Sequence, residues 1–238
     1  MGGSYRLAYN TLIMNILTID LDFIMSPCID LYNTETVYYV PGEMSWMANN
    51  VNERDVKISK KNLKYISNVI KESINFLKFE QISFTISHDG ILYPLEVLAN
   101  EKNPFNIINI DHHHDIFYSH QDIGTIEYLN MATPSAWILY LDKYRLIKEY
   151  TWIANKNSYE FKEIDITSRP RNFNFAMNTK NPTIDLENIE HLNITMSPQW
   201  LHPLFYKLFW DFVNLIQNYY KKEVKIINQA YCAKTIIK

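Results

Sequence analysis

Five consecutive residues, Asp111-His112-His113-His114-Asp115, are all carboxylate or imidazole, and they follow the apolar run Ile107-Ile108-Asn109-Ile110. Ionised Asp and clustered His are costly to bury unless they are paired or bound to a metal. Along a strand, alternate side chains share a face. If extended geometry carries through the run, Asp111, His113 and Asp115 point together and His112 and His114 point the other way. Asp-x-His-x-Asp presents two hard oxygen donors and one imidazole, a set suited to Mn, Fe, Zn or Co. Three ligands rarely complete such a site, so the others must come from elsewhere in the chain.

Two further strand-like runs end in residues of the same kind. Residues 15–22 read as a buried strand closing on Asp20 and Asp22, two apart and hence on one face. Residues 81–87 alternate as a strand and run into His88-Asp89-Gly90. A parallel sheet gathers the carboxyl ends of its strands on one edge, where α/β proteins place their ligand sites. The pooled side chains are Asp20, Asp22, His88, Asp111, His113 and Asp115. Four carboxylates carry too much negative charge for one divalent ion and suit two, roughly 3.5–4 Å apart, that together ready a water for nucleophilic attack at neutral pH.

The elements needed to position these ends follow from the periodicity. A helix is expected over 59–78, with Ser59 as N-cap, and a short one over 92–100. A strand over 105–110 leads into the histidine run. A helix over 133–147, strands over 149–154, 161–166 and 191–196, and a last strand over 224–228 come after it. Ser197-Pro198 is read as the start of a long helix, with serine as N-cap and proline at the first position. Residues 28–56 and 168–186 are read as loops, the former aromatic and suited to cover a groove. Strands alternate with helices and strand interiors are largely apolar, which predicts an α/β three-layer sandwich with a mostly parallel sheet.

Composition narrows the class. The chain has 238 residues, 47% hydrophobic, with only 5 glycines and 9 prolines, enough for a sizeable core. We expect residues 1–14 to be an N-terminal extension or tag remnant and 15–238 to form one catalytic domain. Net charge is −3, which removes the usual footprint of a nucleic-acid binder. No apolar run is long enough to span a membrane. Two distant cysteines, Cys28 and Cys232, fit a reduced cytoplasmic setting. Self-association is left open.

Asp111-x-His113-x-Asp115 resembles the Asp-x-His-x-Asp motif of the arginase/agmatinase (ureohydrolase) superfamily. Asp20-Leu21-Asp22 resembles its Asp-x-Asp strand end, and Ser87-His88-Asp89 its remaining histidine-bearing strand end. In ureohydrolases the Asp-x-Asp pair comes late; here it comes first, so the match is to a permuted arrangement. The ordered set, followed by a Trp-bearing helix and then Ser197-Pro198-Gln199, resembles the small peptide arginases, which convert arginine side chains in ribosomally made precursor peptides to ornithine. The resemblance implies an arginase/deacetylase-like fold and two Mn²⁺ per chain. His88, Asp111, Asp115 and Asp20 would hold one ion, and His113, Asp111, Asp20 and Asp22 the other. Asp115 would also orient the attacking water and protonate the leaving amine. His120 is the nearby histidine after the motif, but its spacing is shorter than that of the assisting ureohydrolase histidine. His112 and His114 are expected to pack behind the site, and Gln199 to line the substrate pocket. Two other readings are a mononuclear zinc amidohydrolase related to deacetylases and a non-catalytic, metal-binding module that docks a peptide. Two extra carboxylates speak against the first, since catalytic zinc usually takes three protein ligands.

Overall fold

A computed structural model describes residues 13–26, 56–99, 104–116, 123–156, 158, 172–198 and 200–228. Residues 28–55 of the loop expected over 28–56, the strand expected over 161–166, and Cys28, His120, Gln199, Cys232 and residues 1–12 lie outside the described residues. Among those described, seven strands form one sheet: β1 (Met14–Asp20), β2 (Ile82–Thr85), β3 (Phe105–Asp111), β4 (Ile147–Ala154), β5 (Asn174–Asn178), β6 (His191–Thr195) and β7 (Ile226–Ile227). Their order is β5-β4-β3-β1-β6-β2-β7, and every pairing is parallel. Helices cover both faces, as expected for a three-layer sandwich. Helices α1 (Lys60–Ser73) and α4 (Tyr206–Tyr220) pack on one face against Leu17, Ile19, Phe84 and Ile194. Helices α2 (Leu92–Leu98) and α3 (Trp137–Lys143) cover the other, against Ile16, Ile107, Tyr150 and Trp152. No helix of the described residues is long and apolar enough to cross a membrane.

Helix α1 shows why these segments fold locally. Ser59 caps it by accepting the Asn62 amide hydrogen at 3.2 Å, and Ile66, Val69 and Ile70 turn inward at helical spacing. The chain leaves β1 through α1 toward β2 on one side, then returns through α2 to β3 on the other. The strand order therefore reverses between β1 and β3, the crevice where open α/β sheets bind ligands.

Three expectations change. The stretch read as a loop over 168–186 contains β5, whose mostly polar, half-exposed sequence marks an edge strand. The last long helix does not start at Ser197. Ser197 has φ 48°, a left-handed conformation that cannot open a helix, and α4 starts at Tyr206 after a 3₁₀ turn begun by Pro203. On the face covered by α2 and α3 the strands are apolar toward their starts, at Ile16, Phe105 and Ile107, but nearer their ends Thr18, Asn109, Asn193 and Thr85 are fully buried.

Candidate metal centre

All six metal-capable residues come together at the carboxyl edge of β1, β2 and β3, and each is buried. Strand geometry ends earlier than the sequence suggests. β1 stops at Asp20, whose side chain caps the 3₁₀ turn Leu21–Ile24 by accepting the Asp22 amide hydrogen at 3.1 Å. That turn, rather than a two-residue strand repeat, sets Asp22 beside Asp20. β3 likewise stops at Asp111, which accepts the His113 amide hydrogen at 3.0 Å. Asp115 then takes φ 52°. Of the five described non-glycine residues with positive φ, Asp115 and Ser197 lie in this site, and strained backbone of this kind clusters at functional sites.

Two overlapping donor sets result. Ligand atoms of Asp20, His88 and Asp111 lie within 4.8 Å of one another, and so do those of Asp22, Asp111 and His113. Among the described residues, Asp111 alone belongs to both sets. In the first, His88 Nδ1 stands 2.7 Å from Asp115 Oδ2, 3.1 Å from Asp111 Oδ2 and 3.3 Å from Asp20 Oδ2. None of these oxygens is in line to form a hydrogen bond with Nδ1. A proton serves one acceptor along one line, whereas a divalent ion serves convergent donors from several directions, so this donor set fits a metal. In the second, His113 Nδ1 lies 2.8 Å from Asp22 Oδ2, and the His112 amide hydrogen is donated to Asp22 Oδ1 at 3.2 Å.

The electrostatics follow from crowding acids in a dry place. Burial first, then the Asp20 and Asp111 charges, push the Asp22 carboxyl well above its usual range. Burial and the Asp111 charge do the same to Asp115 and, less strongly, Asp20. Burial opposes ionisation of Asp111 too, but His88 outweighs it and holds that carboxyl low. Burial would lower the His88 pKa, yet the Asp115 charge and contacts with Asp111 and Asp20 carry it well up. The cluster thus competes for positive charge, and protons and divalent cations compete with each other for it.

Further residues steady the cluster. Trp137 donates its indole N–H to Asp115 Oδ2 at 2.7 Å, and its ring lies 5.0 Å from that of His88. Ser197 donates its hydroxyl to Asp20 Oδ2. Thr18 Oγ1 sits 2.8 Å from His88 Nε2, on the side of the ring away from the carboxylates. Asn109 donates to Asp111 Oδ2 at 3.1 Å. His112 and His114 turn away, as expected. Ser158 donates to the His112 carbonyl at 2.6 Å, and burial lowers the His112 pKa to about 3, which keeps its ring neutral. His114 packs edge-on to Trp152 and accepts the Ile116 amide hydrogen at Nδ1.

Above the cluster is a cavity of about 10 Å³, room for roughly one water. Its outer wall is Pro134, Ser135, Ser197 and Trp200, and the Trp200 ring is 4.6 Å from that of His113. Residue-type and spacing arguments do not single out Thr18, Ser197 or Trp200. A readable signal for Thr18 was present: Leu17-Thr18-Ile19-Asp20, Ile108-Asn109-Ile110-Asp111 and Leu192-Asn193-Ile194-Thr195 repeat one alternation of apolar and hydrogen-bonding residues. Comparison of the chain with protein-family models, curated proteins and solved structures finds no significant match.

Proposed function

We propose that this chain is a binuclear manganese hydrolase that cleaves the guanidinium of arginine side chains in a ribosomally made precursor peptide, leaving ornithine and releasing urea. The observation that carries this reading is the pair of buried donor sets sharing Asp111. In this reading Asp20, His88 and Asp111, with Asp115 alongside, hold one ion, and Asp22, Asp111 and His113 hold the other. Bound there, the ions supply a water acidified to near neutral pH and Lewis-acid polarisation of the substrate.

The chain's own residues do the rest. Asp115 Oδ2 accepts the Trp137 N–H, which fixes the carboxyl group beside His88. Asp115 accepts a proton from the attacking water and returns it to the departing side-chain nitrogen as the C–N bond breaks, so one group serves as base and then acid. Ser197 and Trp137 hold their carboxylates still, which keeps the reacting geometry organised in advance. Trp200 offers a flat aromatic face at the entrance, a surface that attracts a planar cation such as guanidinium. The described outer wall of the cavity carries no charged side chain. That favours an arginine within a peptide, which has no α-ammonium and α-carboxylate to pair.

The test is to incubate the purified chain with Mn²⁺ and arginine-containing peptides, free arginine and an acetyl-lysine peptide, with mass-spectrometric readout and a parallel metal analysis. Ornithine in the peptides together with two manganese ions per chain is expected. One zinc per chain with deacetylation would replace this reading by the amidohydrolase one, and no product from any substrate would end it.

A further inference from the structure

We infer that a buried row of hydroxyl and amide side chains crossing β3, β1, β6 and β2 positions His88 for its ligand role, with Thr18 as the contact residue and Asn193 as the piece that fixes Thr18. The inference rests on the metal-centre reading and adds residues to it.

The register puts the row together. Asn109 of β3 is the partner of Thr18 of β1; Thr18 is the partner of Asn193 of β6; Asn193 is the partner of Ser83 of β2. Two residues nearer the site, Asp20 pairs with Thr195 and Thr195 with Thr85. A slab of polar side chains two residues deep therefore lies directly beneath the acidic cluster. The opposite face of the same strands is filled by Leu17, Ile19, Phe84, Ile110, Leu192 and Ile194. Hydrocarbon would fill the polar face as readily, and each buried polar group must find a partner or destabilise the fold. Such a network is retained at a cost, and it must be complete.

From Ser83 to Thr18 each side chain of the row has a partner, and the direction of the first steps can be read. Ser83 donates its one hydroxyl hydrogen to Asn193 Oδ1 at 2.8 Å. His191 Nε2, 2.9 Å from the Ser83 hydroxyl oxygen, must then donate to it. With Oδ1 occupied, the Asn193 amide turns its hydrogens to three threonines: Thr195 at 2.9 Å, Thr85 at 3.3 Å and Thr18 at 3.5 Å. Thr85 and Thr195 are bonded to each other at 2.8 Å. Thr18 Oγ1 is thereby held in place, 2.8 Å from His88 Nε2. A ring whose Nε2–H is donated to a fixed oxygen presents the lone pair of Nδ1 on its other side, toward Asp20, Asp111 and Asp115. Gly90 lets the segment bearing His88 sit close: a side-chain carbon there would come within 3.1 Å of Thr85 Cβ.

Thr18→Val keeps the shape and removes the hydroxyl; Thr18→Ser keeps the hydroxyl. Mn²⁺ binding to each full-length variant is measured by calorimetry and chelator competition, with circular dichroism as a check of folding. Thr18→Val is expected to weaken one Mn²⁺ equivalent by about 10–100-fold, and Thr18→Ser to restore it. Ser83→Ala, which frees the Asn193 amide without touching Thr18 or His88, is expected to weaken the same equivalent by a smaller factor, and it serves as the test if Thr18→Val does not fold. Wild-type affinity in both Thr18→Val and Ser83→Ala would overturn the positioning role while leaving the metal centre standing. A wild-type chain that binds no divalent ion would instead overturn the metal reading itself.

Discussion

Asp111 is the residue whose loss should cost most, and the structure says how much and with what sign. It is the one described residue common to both donor sets. Asp111→Asn keeps an oxygen to accept the His113 amide hydrogen but removes the shared charge. Asp22→Asn keeps the acceptor for the His112 amide hydrogen and disables only the second set. A ligand present at a hundredfold its Kd stabilises the folded state by about 2.7 kcal/mol per site. For a chain of 238 residues that corresponds to roughly 5–10 °C in Tm per occupied site. Thermal unfolding with saturating Mn²⁺ and with EDTA, alongside metal analysis, gives the readout. The wild-type chain should show the shift of two sites, Asp22→Asn that of one, and Asp111→Asn none. In EDTA the balance at Asp111 sets the order: its charge raises the pKa of Asp20, Asp22 and Asp115, but His88 holds its own carboxyl low, so the charge is net favourable in the folded chain and Asp111→Asn should unfold below the wild-type temperature. The difference in Tm between manganese and EDTA, rather than either Tm alone, therefore carries the test. An undiminished manganese shift in Asp111→Asn, or loss of both equivalents in Asp22→Asn, would refute the shared-ligand argument.

Asp115→Asn should lower kcat by about 10²–10⁴-fold while metal analysis still finds manganese, because Asp115 is assigned the proton transfer. His112→Ala should retain both equivalents, since that ring turns toward Ser158; loss of metal would show that the facing is wrong. The metal-free chain should lose stability as pH rises above about 6.5, the ordinary value for His. Asp22, Asp115 and His88 all have folded pKa values raised above their ordinary ones, so their contribution is present at low pH and lost as pH climbs through the folded values. His112 and His191, lowered to about 3 and about 4, act oppositely but only below about 6.5, where the unfolded chain takes up protons. With saturating Mn²⁺ the slope should flatten or reverse, because protons and metal compete for the same groups; differential scanning calorimetry across that range checks both signs.

Much of the site was legible because acids and imidazoles have few reasons to stand together at strand ends. Asp20, Asp22, His88, Asp111, His113 and Asp115 could be listed from residue type and the α/β pattern alone. Their local geometry could not. Period-two reasoning assumed that strands continue to Asp22 and Asp115, whereas side-chain caps at Asp20 and Asp111 end them early. Ser197 shows the same limit: Ser-Pro is a good helix start by type, but donation to Asp20 and hydrogen bonds to the β2 end hold it in a left-handed turn. β5 was missed because an edge strand needs no apolar face. The polar row was missed because Asn and Thr inside strands are ordinarily read as weak spots in a core, and only the register shows that they meet.

The position of β6 has a consequence for the order in which the site can be made. All six acids and imidazoles have been synthesised once residue 115 is reached, yet β6, residues 191–195, lies between β1 and β2 in the sheet. Asp20 and His88 thus stand at the ends of strands that are joined only when a segment about eighty positions downstream of residue 115 is threaded between them. A nascent or truncated chain ending before residue 191 would carry every ligand without the scaffold that joins them. Long-range parallel pairing of this kind is slow to form, so uptake of a metal ion at the candidate centre during synthesis would report that the centre of the sheet has closed.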